Sequence, residues 1–93
     1  MDDYIATVTV VVTGKVQGVG YRHATVRQAH ALGVKGWVQN MEDGSVHALL
    51  QGDLDKIDRL LAWMRVGPPR AQVEDVVHED SDTERRYAFF QQV

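Results

Sequence analysis

The sequence predicts an α+β fold whose elements follow the order β-α-β-β-α-β. Stretches that alternate apolar and polar residues are typical of half-buried strands, and two other stretches carry apolar residues at helical spacing. Glycine, proline and aspartate mark the breaks between these stretches. With 93 residues, 44% hydrophobic and 25% charged, the chain has ordinary globular composition, and we expect residues 1–93 to form one domain.

The N-terminal third of the chain contains the first strand and the first helix. In residues 6–13, alanine or valine at even positions alternates with threonine or valine at odd positions, which is the period of a half-buried strand. Three glycines follow in the loop. A helix is predicted from about Arg22 to Leu32, where apolar residues recur at helical spacing and Gly33 supplies a C-terminal stop.

The middle of the chain predicts a hairpin and the second helix. Residues 34–40 and 45–51 are expected to be strands, joined by the turn "MEDG" at residues 41–44. Asp53 is a good N-cap for a helix whose apolar stripe runs from Leu54 to Met64.

The C-terminal third predicts one further strand and a possible last one. The stretch "GPP" at residues 67–69 ends the second helix because proline cannot continue it. A strand is expected from about Ala71 to Val77, then a polar turn at residues 79–84, then a short strand in "RYAFFQQV". This order is the ferredoxin-like, split β-α-β arrangement, so we predict a two-layer sandwich of an antiparallel sheet with both helices on one face.

Composition limits the classes of function. Cysteine is absent, which excludes disulfides and thiol chemistry. The net charge of −3 argues against a broad nucleic-acid surface, and no apolar run approaches the length of a membrane span. The start of the chain is acidic, unlike a signal peptide. We therefore expect a cytoplasmic monomer without nucleic-acid or membrane partners.

The stretch "VVTGKVQGVGYRHA", residues 11–24, predicts an anion site. Its glycine spacing fits neither a Walker loop nor a dinucleotide fingerprint. Glycine lets several main-chain N–H groups converge on one tetrahedral anion, and the start of a helix adds its own N–H groups and positive dipole. Arg22 supplies a charged planar fork that can hold two phosphate oxygens.

Two stretches of the chain resemble the signatures of the acylphosphatase family: "GKVQGVGYR" at residues 14–22 and "GWVQNMEDGSV" at residues 36–46. The resemblance continues in "ALG" (31–33), "QGD" (51–53) and "GPPRAQV" (67–73), so it covers nearly the whole chain in the right order. It implies a metal-free hydrolase without cofactor. Such an enzyme cleaves the carboxyl-phosphate bond of acyl phosphates, and its product, inorganic phosphate, inhibits competitively.

The resemblance also implies roles for particular residues. Arg22 takes the place of the phosphate-binding arginine, and Asn40 that of the asparagine that orients the attacking water. Tyr21 stands where phenylalanine is usual, and Met41 stands beside Asn40 where a polar or smaller residue is common. The loop that wraps the phosphate comprises Gln17, Gly18, Val19, Gly20 and Tyr21.

Each feature also has an ordinary structural interpretation. Glycines are the default in tight turns, an arginine at a helix start is commonly solvated, and an asparagine before a turn is commonly a turn former. The four histidines are scattered, so we expect no metal site. The alternative function is a non-catalytic ferredoxin-like module that binds RNA or a small ligand.

Overall fold

The computed structural model describes residues 4–93, and its elements follow the predicted order. The strands are β1 (Ala6–Lys15), β2 (Lys35–Asn40), β3 (Val46–Gly52), β4 (Gln72–Asp80) and β5 (Phe90–Gln92). The helices are α1 (Tyr21–Leu32) and α2 (Leu54–Met64).

The strands form one open sheet in the order β4-β1-β3-β2-β5. The four longer strands pair antiparallel, as the sequence predicts. The short β5 pairs parallel with β2, a pairing that the sequence pattern did not indicate. Because β2 lies between β3 and β5, the end of the chain comes to lie beside the strand that carries Asn40.

The core lies between one face of the sheet and the two helices. Across β1 and β3, the pairs Val8–Leu50, Val10–Ala48 and Val12–Val46 are buried on this face. Helix α2 contributes a buried stripe of Ile57, Leu60, Leu61 and Met64, spaced for one side of a helix. The predicted N-cap of α2 is confirmed, because the Asp53 carboxylate accepts a hydrogen bond from the N–H of Asp55 at 3.1 Å.

Two predicted boundaries differ from the structure. The strand β4 continues to Asp80, so Glu79 and Asp80 belong to a strand rather than to the polar turn predicted at residues 79–84. In β4 only Val76 is buried, since it is an edge strand, and its exposed polar residues conceal the strand pattern. The predicted last strand is only three residues long, anchored by the buried Phe90.

Candidate active site

The site begins at an irregularity near the end of β1. The pairing of β1 with β4 shifts register between Thr13 and Gly14, and Gly14 has a φ of 118°. A Cβ at this position would overlap the backbone of Gln72, so only glycine fits here. This irregularity lies just before the chain enters the loop at residues 16–20.

The loop buries its two valines and exposes its two glycines. Val16 and Val19 belong to the hydrophobic core, whereas Gly18 and Gly20 are exposed, with φ of 75° and 82°. These left-handed conformations favour glycine. The buried valines fix the loop from inside, and the glycines leave its outer backbone uncovered.

Gly20 is also the N-cap of α1 and has no side chain to satisfy the first N–H groups of the helix. No acidic residue lies in the first turn. Within residues 4–93, the N–H groups of residues 18–22 donate no hydrogen bond to another main-chain group outside regular helix and strand pairing. Unpartnered N–H groups at the positive end of a helix attract an anion.

A cavity of about 150 Å³ lies in front of this loop and brings the two predicted catalytic side chains together. At about 30 Å³ per water, it has room for about five groups of water size, the scale of a phosphate with a water. Residues from both signature stretches and from β5 line it: Val16, Gly18, Gly20, Tyr21, Arg22, His23, Asn40 and Gln92.

Arg22, in the first turn of α1, is held by a contact with residue 93. Its Nη1 donates a hydrogen bond to the main-chain oxygen of Val93 at 3.0 Å. The neighbouring residue Gln92 lines the cavity. The end of the chain therefore forms one wall of the site and orients the guanidinium.

Asn40 is the last residue of β2 and faces the cavity from the other signature stretch. Its Oδ1 is buried and is the one buried side-chain polar atom in the described chain without a hydrogen-bond partner. A buried amide oxygen without a partner costs free energy unless a water or ligand satisfies it. Asn40 is thus suited to accept a hydrogen bond from a water in the cavity.

The turn after Asn40 is stabilised by its own hydrogen bonds. The Asp43 carboxylate accepts hydrogen bonds from the Oγ of Ser45 at 2.6 Å and from its N–H at 2.9 Å. The Ser45 hydroxyl, together with the Ser45 N–H, lowers the pKa of Asp43. A lowered pKa keeps the Asp43 carboxyl group ionised, so Asp43 stabilises the turn and does not donate a proton in the site.

Gln17 lies beside the cavity without lining it. Its Nε2 donates to the main-chain oxygens of Met41, at 2.8 Å, and Ser45, at 2.9 Å. The side chain therefore ties the glycine loop to the turn that follows Asn40. Only its main chain remains available for the phosphate contact that the resemblance implies.

Tyr21 joins the start of α1 to the end of α2. Its hydroxyl donates to the main-chain oxygen of Met64 at 2.8 Å, and its ring lies 5.9 Å from that of Trp63, centroid to centroid. Burial raises the pKa of the Tyr21 phenol well above its ordinary value. The hydroxyl that distinguishes it from phenylalanine is thus a neutral, buried donor with a partner.

Sequence reasoning missed the contribution of Gln92 and Val93. Their place in the site depends on the pairing of β5 with β2, which no local pattern specifies. Among residues 4–93 there is no group of three or more histidine or acidic residues close enough to hold a metal ion. Neither helix of the described chain is long and apolar enough to cross a bilayer.

Comparison with known proteins agrees with this geometry. The acylphosphatase family model matches residues 8–92, which is most of the chain. The chain belongs to the acylphosphatase family. A curated acylphosphatase from Paraburkholderia xenovorans is 59% identical over 99% of this chain and 95% of its own length. A curated acylphosphatase from Bordetella parapertussis is 56% identical over 99% of this chain and 98% of its own length.

Solved acylphosphatase structures share the fold. A structure from Coxiella burnetii is 36% identical, with a TM-score of 0.91 over 96% of this chain and 93% of its own. An acylphosphatase structure from Bacillus subtilis has the same TM-score at 28% identity and covers 95% of this chain and 98% of its own. The predicted family, fold and acylphosphatase function are confirmed, and the binding-module alternative is not favoured.

Proposed function

We propose that acyl phosphates are hydrolysed in the cavity between the glycine loop and Asn40, by residues of this chain and without a metal or cofactor. One observation carries the proposal. A single space of about 150 Å³ is bordered by Arg22, by the main chain at Gly18 and Gly20, and by Asn40. The guanidinium of Arg22, the main-chain N–H groups of the loop and the amide of Asn40 thus surround one space that is large enough for a phosphate.

The phosphate is held by main-chain N–H groups and Arg22. The loop supplies donors without side chains in front of them, and the start of α1 adds its positive dipole end. The guanidinium, oriented by Val93, holds phosphate oxygens through charge-assisted hydrogen bonds. These groups stabilise the charge that gathers on the equatorial oxygens in the transition state.

Asn40 orients the attacking water. Its buried Oδ1 accepts a hydrogen bond from that water and so directs the water oxygen toward phosphorus. As the new P–O bond forms, the bond from phosphorus to the acyl oxygen breaks, and the carboxylate leaves with the electron pair. The water proton passes to a phosphate oxygen, so no side-chain base is required.

The products are a carboxylate and inorganic phosphate, and phosphate competes with substrate for the same loop. We also infer that the enzyme is a monomer in the cytoplasm that needs no nucleic-acid partner. The small chain with a single core and the net charge of −3 support this inference.

The decisive assay follows the hydrolysis of benzoyl phosphate by absorbance, with EDTA present and inorganic phosphate added in increasing amounts. We expect turnover that survives chelation and competitive inhibition by phosphate. Loss of activity with EDTA and its recovery with magnesium would overturn the metal-free mechanism. Noncompetitive inhibition by phosphate would place the anion outside the reacting site.

A further inference from the structure

The phosphate cavity has no room for a large acyl group, and a second groove begins at its edge. This groove, of about 290 Å³, lies between α1 and the connection from α2 to β4. We define the acyl groove by its lining residues: His23, Ala24, Arg27, Gln28, Trp63, Gly67, Pro68 and Pro69.

Two residues connect the acyl groove to the phosphate cavity. His23 lines both spaces. Tyr21 lines the cavity, while its ring lies against Trp63 and against Gly67, where a Cβ would come within 3.0 Å of it. The two spaces are therefore neighbours that share His23 as a wall, and the groove lies beside phosphate bound in the cavity.

A third cavity in the described chain does not serve this purpose. It has a volume of about 600 Å³ and is lined by Ala6 and Thr7, at the start of β1, and by Asp80 and Asp82. Strand β1 has ten residues, so its two ends are about 30 Å apart at about 3.3 Å per residue. A substrate held at the glycine loop therefore does not reach it.

The lining of the acyl groove indicates the chemistry of its occupant. Trp63 and the two prolines of residues 68–69 offer flat apolar surface, which suits an aromatic or other planar carbon body. Arg27 is exposed, and among the described residues the one ion pair joins Arg59 to Asp55, so its guanidinium has no carboxylate partner there. None of the acidic residues within residues 4–93 lines the groove.

Arg27 is four residues after His23 and therefore lies on the same face of α1, about 6 Å further along the axis at 1.5 Å per residue. We propose that the acyl groove binds the acyl group of the substrate and favours planar acyl phosphates that carry a second anionic group, with Trp63 contacting the carbon body and Arg27 the distal anion. This inference rests on the proposed binding of phosphate at the glycine loop.

Three substrates separate the parts of this proposal. Acetyl phosphate is too short to reach the groove, benzoyl phosphate places a ring in it, and 4-carboxybenzoyl phosphate adds the distal anion. For each, kcat and KM are measured on the wild type, Arg27→Gln, Trp63→Leu and the control Lys35→Gln. Lys35 is exposed at the end of β2 opposite Asn40, so its variant removes a charge away from both spaces.

We expect Arg27→Gln to lower the ratio of kcat/KM for 4-carboxybenzoyl to benzoyl phosphate by about fivefold, through KM, the scale of one partly exposed ion pair. Trp63→Leu lowers the ratio of kcat/KM for benzoyl to acetyl phosphate. Lys35→Gln leaves both ratios of kcat/KM unchanged. Arg27 is exposed, so its variant tests the proposal even where loss of Trp63 disturbs folding.

The failures of the two proposals are distinguishable. If the wild type hydrolyses all three substrates but Arg27→Gln leaves the first ratio unchanged, the groove proposal is wrong and the mechanism stands. An equal drop with Lys35→Gln also overturns it, because the effect is then one of overall charge. If the wild type hydrolyses none of the three, the proposed function fails and the groove proposal fails with it.

Discussion

The side-chain amide of Gln17 donates a hydrogen bond to the main-chain oxygen of Met41 at 2.8 Å, across a separation of 24 residues. A second bond reaches Ser45 at 2.9 Å. Together they join the loop that carries the N–H donors to the turn that follows Asn40. The Gln17 amide therefore helps to fix the distance between the phosphate site and the water site.

Replacing Gln17 by alanine should separate the two halves of the site. Loss of two hydrogen bonds lowers the free energy of unfolding by about 1–3 kcal/mol, and the misplaced groups lower kcat/KM by about tenfold or more. Denaturant unfolding and benzoyl phosphate kinetics measure both. Gln72→Ala, at an exposed position on β4, is the control and should change neither. Loss of phosphate affinity with unchanged stability would instead make the Gln17 side chain a phosphate ligand.

Arg22→Ala and Arg22→Lys should weaken phosphate binding and slow turnover together. Each charge-assisted hydrogen bond is worth about 1.5–3 kcal/mol, so the loss of two such bonds lowers kcat/KM by about two to four decades. Lysine does not restore the activity because it lacks the planar fork. Arg59→Ala serves as the control, since Arg59 lies on α2 in an exposed ion pair. A folded Arg22→Ala enzyme with near-normal kcat/KM would place the active site elsewhere.

Substitutions at two glycines separate the effect of backbone strain on stability from the effect on phosphate binding. Gly20 and Gly33 flank α1 with nearly equal φ, 82° and 77°, and a Cβ at either position meets no atom within 4 Å. Alanine at either site should therefore cost a similar 1–2 kcal/mol or so of stability from the left-handed conformation alone. Only Gly20→Ala should also reduce phosphate affinity, because only Gly20 lines the cavity. Equal loss of activity in both variants would indicate a general effect of destabilisation.

These predictions depend on contacts that the sequence specifies to different degrees. Both helices and the β2–β3 hairpin are predictable because their signals are local: apolar spacing, the N-cap Asp53 and the Asp43-Gly44 turn. Arg22 and Asn40 are found through the family resemblance. The two residues line one cavity because of the order of the strands in the sheet. Their separation in the sequence does not predict this.

The supporting contacts are not predictable in this way. The contact of Arg22 with Val93 spans 71 residues, and that of Tyr21 with Met64 spans 43. Both depend on how elements pack after folding. Strand β5 is held in place by the burial of Phe90 and by parallel pairing with β2. A stretch of three residues is too short for its sequence pattern to predict either contact. Packing, rather than propensity, thus completes the site.

The buried phenol of Tyr21 should make the protein sensitive to alkali. Its pKa is raised in the folded state, so its contribution is fully present below the unfolded value of about 10 and is lost as pH rises toward the folded value. In that window stability falls by about 1.4 kcal/mol per pH unit. Tyr21→Phe should remove this slope while losing the hydrogen bond to Met64. Urea unfolding from pH 9 to 11 measures the slope, and an identical slope in Tyr21→Phe would contradict the assignment.

The role of Asn40 can be separated from that of a turn residue. Its Oδ1 has no protein partner among the described residues, so Asn40→Ala breaks no hydrogen bond between that atom and the protein. We therefore expect stability to stay within about 1 kcal/mol of the wild type. The phosphate inhibition constant should stay near the wild-type value, since Asn40 contacts the water and not the anion. Only kcat should fall, by about 10²-fold or more, because the nucleophile loses its orientation.

Asn40→Asp completes the test of the water site. It keeps the shape and an acceptor oxygen but adds a negative charge beside an anionic transition state, so kcat should fall and phosphate should also bind more weakly. A turn residue would behave differently, since aspartate forms such turns readily and alanine would lower the melting temperature. If kcat holds in Asn40→Ala while the melting temperature drops, Asn40 acts through the turn alone and the attacking water must be oriented by another group.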